Sequence, residues 1–144
     1  MYLGHPSPIR VLGGPVQNFE VQFDALLDLR IVQVVRPVIL TDLVSLTDRD
    51  FGGQSATNII WDFWPGVLQL LDTRDMKNLR SLREKAAGDR RKGNTVLVTH
   101  DPAEKLFVKW YKKFAESEDG NQINYHVADS LEGARELIQR LVRD

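Results

Sequence analysis

The stretch Gly93-Asn-Thr-Val-Leu-Val-Thr-His-Asp101-Pro-Ala-Glu104 decides how this chain folds. Val96, Leu97 and Val98 form an unbroken apolar run between threonines, the pattern of a short strand. Asp101 then supplies a side-chain acceptor for the free N–H groups of a helix, and Pro102 fits the first helical position. Glu104, three residues beyond the cap, can return a bond to it or simply face the positive helix end. A strand running directly into a capped helix is one βα unit.

The same order of residues occurs twice more. Leu70 and Leu71 precede Asp72 and Asp75, and the apolar run Tyr125 to Val127 precedes Asp129 and Glu132. In each case the first acid is expected to cap a helix. Behind the caps, apolar residues keep helical spacing. They are Met76, Leu79, Leu82 and Ala86; then Ala103, Leu106, Phe107, Trp110 and Phe114; then Leu131, Ala134, Leu137, Ile138 and Leu141. Strands alternating with helices of this length predict a single-domain α/β fold, a mostly parallel mixed sheet with helices on its faces. The likeness of the units follows from βα geometry and is not an internal repeat.

Outward from this region, Thr57 to Trp64 (Thr-Asn-Ile-Ile-Trp-Asp-Phe-Trp) is rich in branched and aromatic residues and predicts the central strand. Phe19, Val21 and Phe23 alternate with polar residues, as in a half-buried strand, and Ile31 to Val35 predicts an antiparallel partner for it. Thr41 is read as the cap of a short helix that ends before Gly52-Gly53. Residues 1–18, with six glycines and prolines, form an N-terminal arm with a short strand at Ile9 to Leu12, and the domain proper is residues 19–144.

Composition narrows the functional classes. The net charge is −1, so the chain as a whole does not attract nucleic acid or an acidic membrane. Cysteine is absent, which removes disulfides, thiolate nucleophiles and thiolate metal ligands together. His5, His100 and His126 lie far apart in sequence, so no metal and no cofactor is expected. No run is apolar and long enough to span a bilayer, and Met1 to Gly14 lacks the marks of a signal peptide. A cytoplasmic location is the default expectation. The eight basic residues between Arg74 and Lys92 stand against three acids and lack interleaved aromatics, so they read as a solvated helix face.

Several stretches together resemble the STAS family, the anti-sigma factor antagonist domains and their SpoIIAA-like relatives. They are Val38 to Leu46, Asn58-Ile-Ile-Trp-Asp62, Gly66 to Thr73, Gly93 to Asp101 and Val127 to Ala134. The lipid-carrier fold called CRAL-TRIO has a similar half-open sheet. The STAS resemblance implies a regulatory or protein-interaction domain without catalysis, working through a protein partner. In the antagonists an aspartate precedes a phosphorylatable serine, then a second serine and a glycine, at the start of the second helix. Asp72 and Thr73 match the first pair. Arg74 and Asp75 replace the small residues that admit a kinase, so a working phospho-switch is not expected.

The remaining candidates each have two readings. Asp62 sits within the strongest strand, where a carboxylate needs a partner. It either lines a pocket at the C-terminal strand ends or bonds to loop amides there. His100, also at a strand end, is either a pocket base or a loop residue. Trp61, Phe63 and Trp64 either line an apolar cavity, pack in the core or form an exposed patch. The leading expectation is therefore an interaction domain contacting its partner through the start of the second helix and adjoining loops. The alternatives are a carrier of a small apolar or lipid-like ligand, and an enzyme with polar groups converging around Asp62 and His100. A homodimer through the arm or an aromatic patch is also expected.

If Asp72 is the cap and Thr73 only begins the helix, Asp72→Ala should lower stability by about 1 kcal/mol in urea unfolding. Thr73→Ala should change it little and leave partner binding untouched; a Thr73→Glu variant that binds its partner far more weakly than Thr73→Ala would instead show a switch.

Overall fold

The sheet begins with the alternating segment Phe19–Asp24. In the computed structural model of the chain, which describes residues 10–11, 18–39, 41–42, 57–72, 74–75, 78, 92–116 and 122–143, that segment is strand β2. It follows the two-residue strand β1 (Arg10–Val11), which pairs antiparallel to it and joins part of the arm to the sheet. The turn at residues 25–28 then leads into β3 (Leu29–Val34), antiparallel to β2 with Phe19 opposite Val34 and Asp24 opposite Leu29. Asp24 Oδ1 accepts the Leu26 N–H at 3.0 Å, and Asp28 adopts the left-handed conformation that ends the turn. Asp28 also fixes the start of the next strand, because its carboxylate accepts the Thr57 N–H and its carbonyl the Asn58 N–H.

From there the sheet is parallel. Strands β4 (Asn58–Phe63), β5 (Lys92–Thr99) and β6 (Gln122–Ala128) join β3 side by side, giving the spatial order β1-β2-β3-β4-β5-β6. The register places Val34, Phe63 and Thr99 abreast at one end and Leu29, Asn58 and Asn94 at the other. Gly93 is required where β5 begins. Its φ is +138°, and a β-carbon there would run into the Thr57 carbonyl.

Helix α1 (Pro102–Glu116) connects β5 to β6, and α2 (Leu131–Arg143) follows β6. Alternation along the strands divides the apolar residues into two cores. On one face Val32, Val34, Phe63 and Leu97 pack with Val67 and Leu68 of the loop after β4 and with Val108 of α1. On the other Ile31, Ile60, Val96 and Val98 pack with Ala134 and Ile138 of α2. The α/β fold, mostly parallel with helices on its faces, is thus as the sequence predicts. The apolar positions of α2 also hold: Ala134 and Ile138 are fully buried, and Leu131 and Leu137 lean on the same core.

Helix α1 is rotated from the expected phase. The spacing predicts Ala103, Leu106, Phe107, Trp110 and Phe114 as its inner face. Instead Glu104 and Val108 are buried, with Phe107 and Tyr111 beside them, while Leu106 and Trp110 are 68% and 50% exposed. The side chain of Phe114 lies outside the described residues. Tyr111 meets Tyr125 of β6 edge-on, with centroids 6.4 Å apart. The helices expected behind Thr41 and Asp72 are described only at residues 41–42 and at residues 74–75 and 78, and their apolar faces lie outside the described residues. Thr41 is already helical there, and Asp42 reaches back to the Ile39 N–H at 3.0 Å. Leu70 and Leu71 belong to the turn-rich segment after β4, not to a strand.

This phasing has a direct test in equilibrium unfolding. Val108→Ala removes two buried carbons and should cost about 2 kcal/mol. Leu106→Ala should stay within about 0.5 kcal/mol of the parent. The reverse order would restore the phase predicted from spacing.

Candidate functional site

Asp62 lies near the C-terminal end of β4, on the face that α2 covers, beside Gln33 in the strand register. Its side chain is 4% exposed, so both carboxylate oxygens need partners. Gln33 Nε2 donates to Oδ2 at 3.1 Å, and His100 Nε2 lies 3.0 Å from Oδ1. The His100 side chain is 35% exposed. Three exits of neighbouring parallel strands are therefore joined by one carboxylate, at the sheet end where open α/β folds place ligands. Of the two readings of Asp62, bonding to loop amides does not occur among the described residues. Asp62 and His100 do converge.

Loop amides are instead held by Glu104. It was expected to serve its own helix cap, but its Oε1 accepts the Gly66 N–H at 3.1 Å and Oε2 the Leu68 N–H at 2.7 Å. Two charge-assisted bonds explain why a carboxylate occupies the buried side of α1. The sequence signal for this was its spacing: Glu104 stands four residues before Val108 and seven before Tyr111.

The caps differ in detail from one another. Asp72 Oδ1 accepts the Asp75 N–H at 2.9 Å, and Asp75 Oδ2 accepts the Asp72 N–H at 3.1 Å, the reciprocal arrangement expected. Asp101 caps α1 through the Ala103 N–H at 2.9 Å. At α2 the expected cap, Asp129, is displaced by Ser130, whose hydroxyl accepts the Gly133 N–H at 3.0 Å. Ser130 is one residue closer to the first helical turn, so its short side chain reaches the third N–H. Asp129 turns to Lys105, with Nζ 2.8 Å from Oδ1. That hydrogen bond holds the Asp129 carboxyl below its ordinary range, helped by the charges of Lys105, Lys109 and His100.

At the opposite sheet end a second polar group is structural. Asn94 Nδ2 donates to Asn58 Oδ1 at 3.2 Å, Asn58 Nδ2 donates to the Leu27 carbonyl, and His126 Nε2 lies 3.4 Å from Asn94 Oδ1. Burial, and then the charge of Lys112, lower the affinity of His126 for a second proton.

Of the other candidates, Trp64 follows β4 and is 41% exposed, and Arg74 is exposed in the first turn behind Asp72. Thr73 lies outside the described residues. Trp61 stacks on Phe63 with centroids 6.0 Å apart, and both pack with the core under α1. Among the described residues no group of three or more His, Asp or Glu is placed to hold a metal, and no helix is long and apolar enough to cross a membrane. Comparison with known proteins gives no family model, no curated protein and no solved structure that matches this chain.

Glu104→Ala should cost roughly 2–4 kcal/mol, because it leaves two inward-facing N–H groups without an acceptor. Glu104→Gln keeps one acceptor and should lose less. Amide hydrogen exchange at Gly66 and Leu68 should quicken in the same order.

Proposed function

We propose that this chain is a regulatory protein-interaction domain of the SpoIIAA-like, STAS kind, which contacts its partner through the loops after β3 and β4. The observation that carries this reading is the exposure of large apolar side chains in those two loops. Ile39 is 49% exposed, Trp64 41% and Leu70 55%. The loops are joined by the Val38 N–H to the Val67 carbonyl at 3.0 Å, and the second of them lies directly before the cap at Asp72. Large apolar groups left in water within ordered loops are typical of contact surfaces. The Glu104 bonds hold the second loop in advance, which lowers the ordering cost of binding.

The occupant is a protein: charged residues in and beside the same segments, Arg36, Asp72 and Arg74, supply the polar rim that surrounds an apolar contact. Control by phosphate at Thr73 has little support. A phosphate there would stand in sequence between Asp72 and Asp75, whose carboxylates already satisfy each other's N–H groups.

A photoreactive amino acid placed at position 64 or 70, in the cell of origin, should form protein adducts that the untagged chain competes away. The same label at Gln139, exposed on α2, should not. Adding Ile39→Arg should reduce the adduct at position 70 by about tenfold or more, the equivalent of one lost contact of about 1.4 kcal/mol. Equal adducts at position 139 would remove the reading, and adducts to lipid alone would replace it with a carrier.

A further inference from the structure

We propose that His100, oriented by Asp62, is an acyl-accepting nucleophile that hydrolyses small uncharged esters bearing an apolar group. This goes beyond the interaction reading and does not rest on it.

The geometry sets the tautomer. Asp62 Oδ1 is an acceptor 3.0 Å from His100 Nε2, and the other Asp62 oxygen is occupied by Gln33. A neutral imidazole in that position carries its proton on Nε2, which leaves the lone pair on Nδ1. Nδ1 has no hydrogen-bond partner among the described residues, and the side chain is one-third open to solvent while the carboxylate behind it is buried. The combination of a buried orienting carboxylate and an accessible ring nitrogen is the one a nucleophilic or proton-accepting histidine needs.

Surroundings select the substrate class. Trp64 and His100 are the residues that follow the register pair Phe63–Thr99, so an exposed indole stands at the neighbouring strand exit. An apolar or aromatic group can rest there. The surroundings are not strongly cationic: Asp62 lies behind the ring, Asp129 interacts electrostatically with His100, Lys105 is already committed to Asp129, and Lys109 is a further cation acting on Asp129. An uncharged carbonyl fits this setting better than a phosphoryl dianion.

The reaction balances without a further reagent. The Nδ1 lone pair adds to the ester carbonyl carbon, and the tetrahedral adduct expels the alcohol oxygen with the electrons of the broken C–O bond. The positive charge of the acylated ring is met by Asp62 through the Nε2 proton. Water then adds to the acyl carbon and the C–N bond breaks, its electrons returning to Nδ1; one hydrogen of the water leaves on the expelled alkoxide as the alcohol, and the other leaves with the acid. The ring returns to its starting tautomer.

The full chain, mixed with p-nitrophenyl acetate, should release p-nitrophenolate above the buffer rate, and peptide mapping should place one acetyl group on His100. His100→Gln should return the rate to background, while His126→Asn should leave it unchanged. Asp62→Asn should slow it by about tenfold or more, with a matching change of the His100 tautomer in long-range proton–nitrogen NMR spectra. Should that variant fail to fold, the comparison is made in the parent: His100 must acylate faster than the same histidine in a synthetic peptide of residues 94–106. An equal rate in the peptide, acetyl groups spread over lysines with none on His100, or transfer of phosphoryl rather than acetyl from acetyl phosphate would overturn the proposal.

Discussion

The buried carboxylate of Glu104, accepting the backbone N–H groups of Gly66 and Leu68, is the contact on which the arrangement of the β4 exit depends. A carboxylate taken out of water is costly unless several donors face it. Once it is bonded to the loop, the helix carrying it has no rotational freedom. That sets Val108 and Tyr111 toward the sheet and turns Leu106 and Trp110 outward. The same bonds hold the segment in which Trp64 and Leu70 are exposed. One side chain thus decides both the packing of α1 and the presentation of the neighbouring surface.

The face of the sheet under α2 shows a different constraint. Its middle is apolar, with Ile60, Val96 and Val98 against Ala134 and Ile138. Polar groups stand at either end, Asn58 with Asn94 and His126 where the parallel strands start, and Gln33 with Asp62 and His100 where they finish. Hydrogen bonding across strands makes both ends tolerable next to a dry core. The two ends are not equivalent. The first turns inward on the Leu27 carbonyl, and burial with Lys112 keeps its histidine uncharged more readily. The second presents a ring about one-third open to solvent from a buried acid.

Legibility in the sequence followed the range of the interaction involved. Strands β2 to β6 were visible because alternation and branched apolar runs are properties of the segment itself. The cap at Asp72 was visible with its returning bond from Asp75, since both partners lie within four residues. The phase of α1 was misread because Leu106 and Trp110 fit an apolar stripe as well as Val108 and Tyr111 do. What chose between the stripes was a carboxylate bonding to residues 36 and 38 positions away. Asp129 was read as a cap for a related reason: Lys105, distant in sequence, offered it a partner, while Ser130 was a sufficient cap.

From the sequence alone came the α/β class, the parallel order of the later strands, the inner face of α2, and the demand that Asp62 have a partner. Each of these follows from local periodicity, local capping or the cost of burying charge. The tertiary structure alone decided that the partners are Gln33 and His100, that Glu104 serves the β4 exit instead of its own helix, and that Trp61 packs against the core while Trp64 meets solvent. Those outcomes depend on which strand exits become neighbours. Strand pairing joins residues 29 and 38 positions apart around one carboxylate, and no local pattern in a chain encodes that distance.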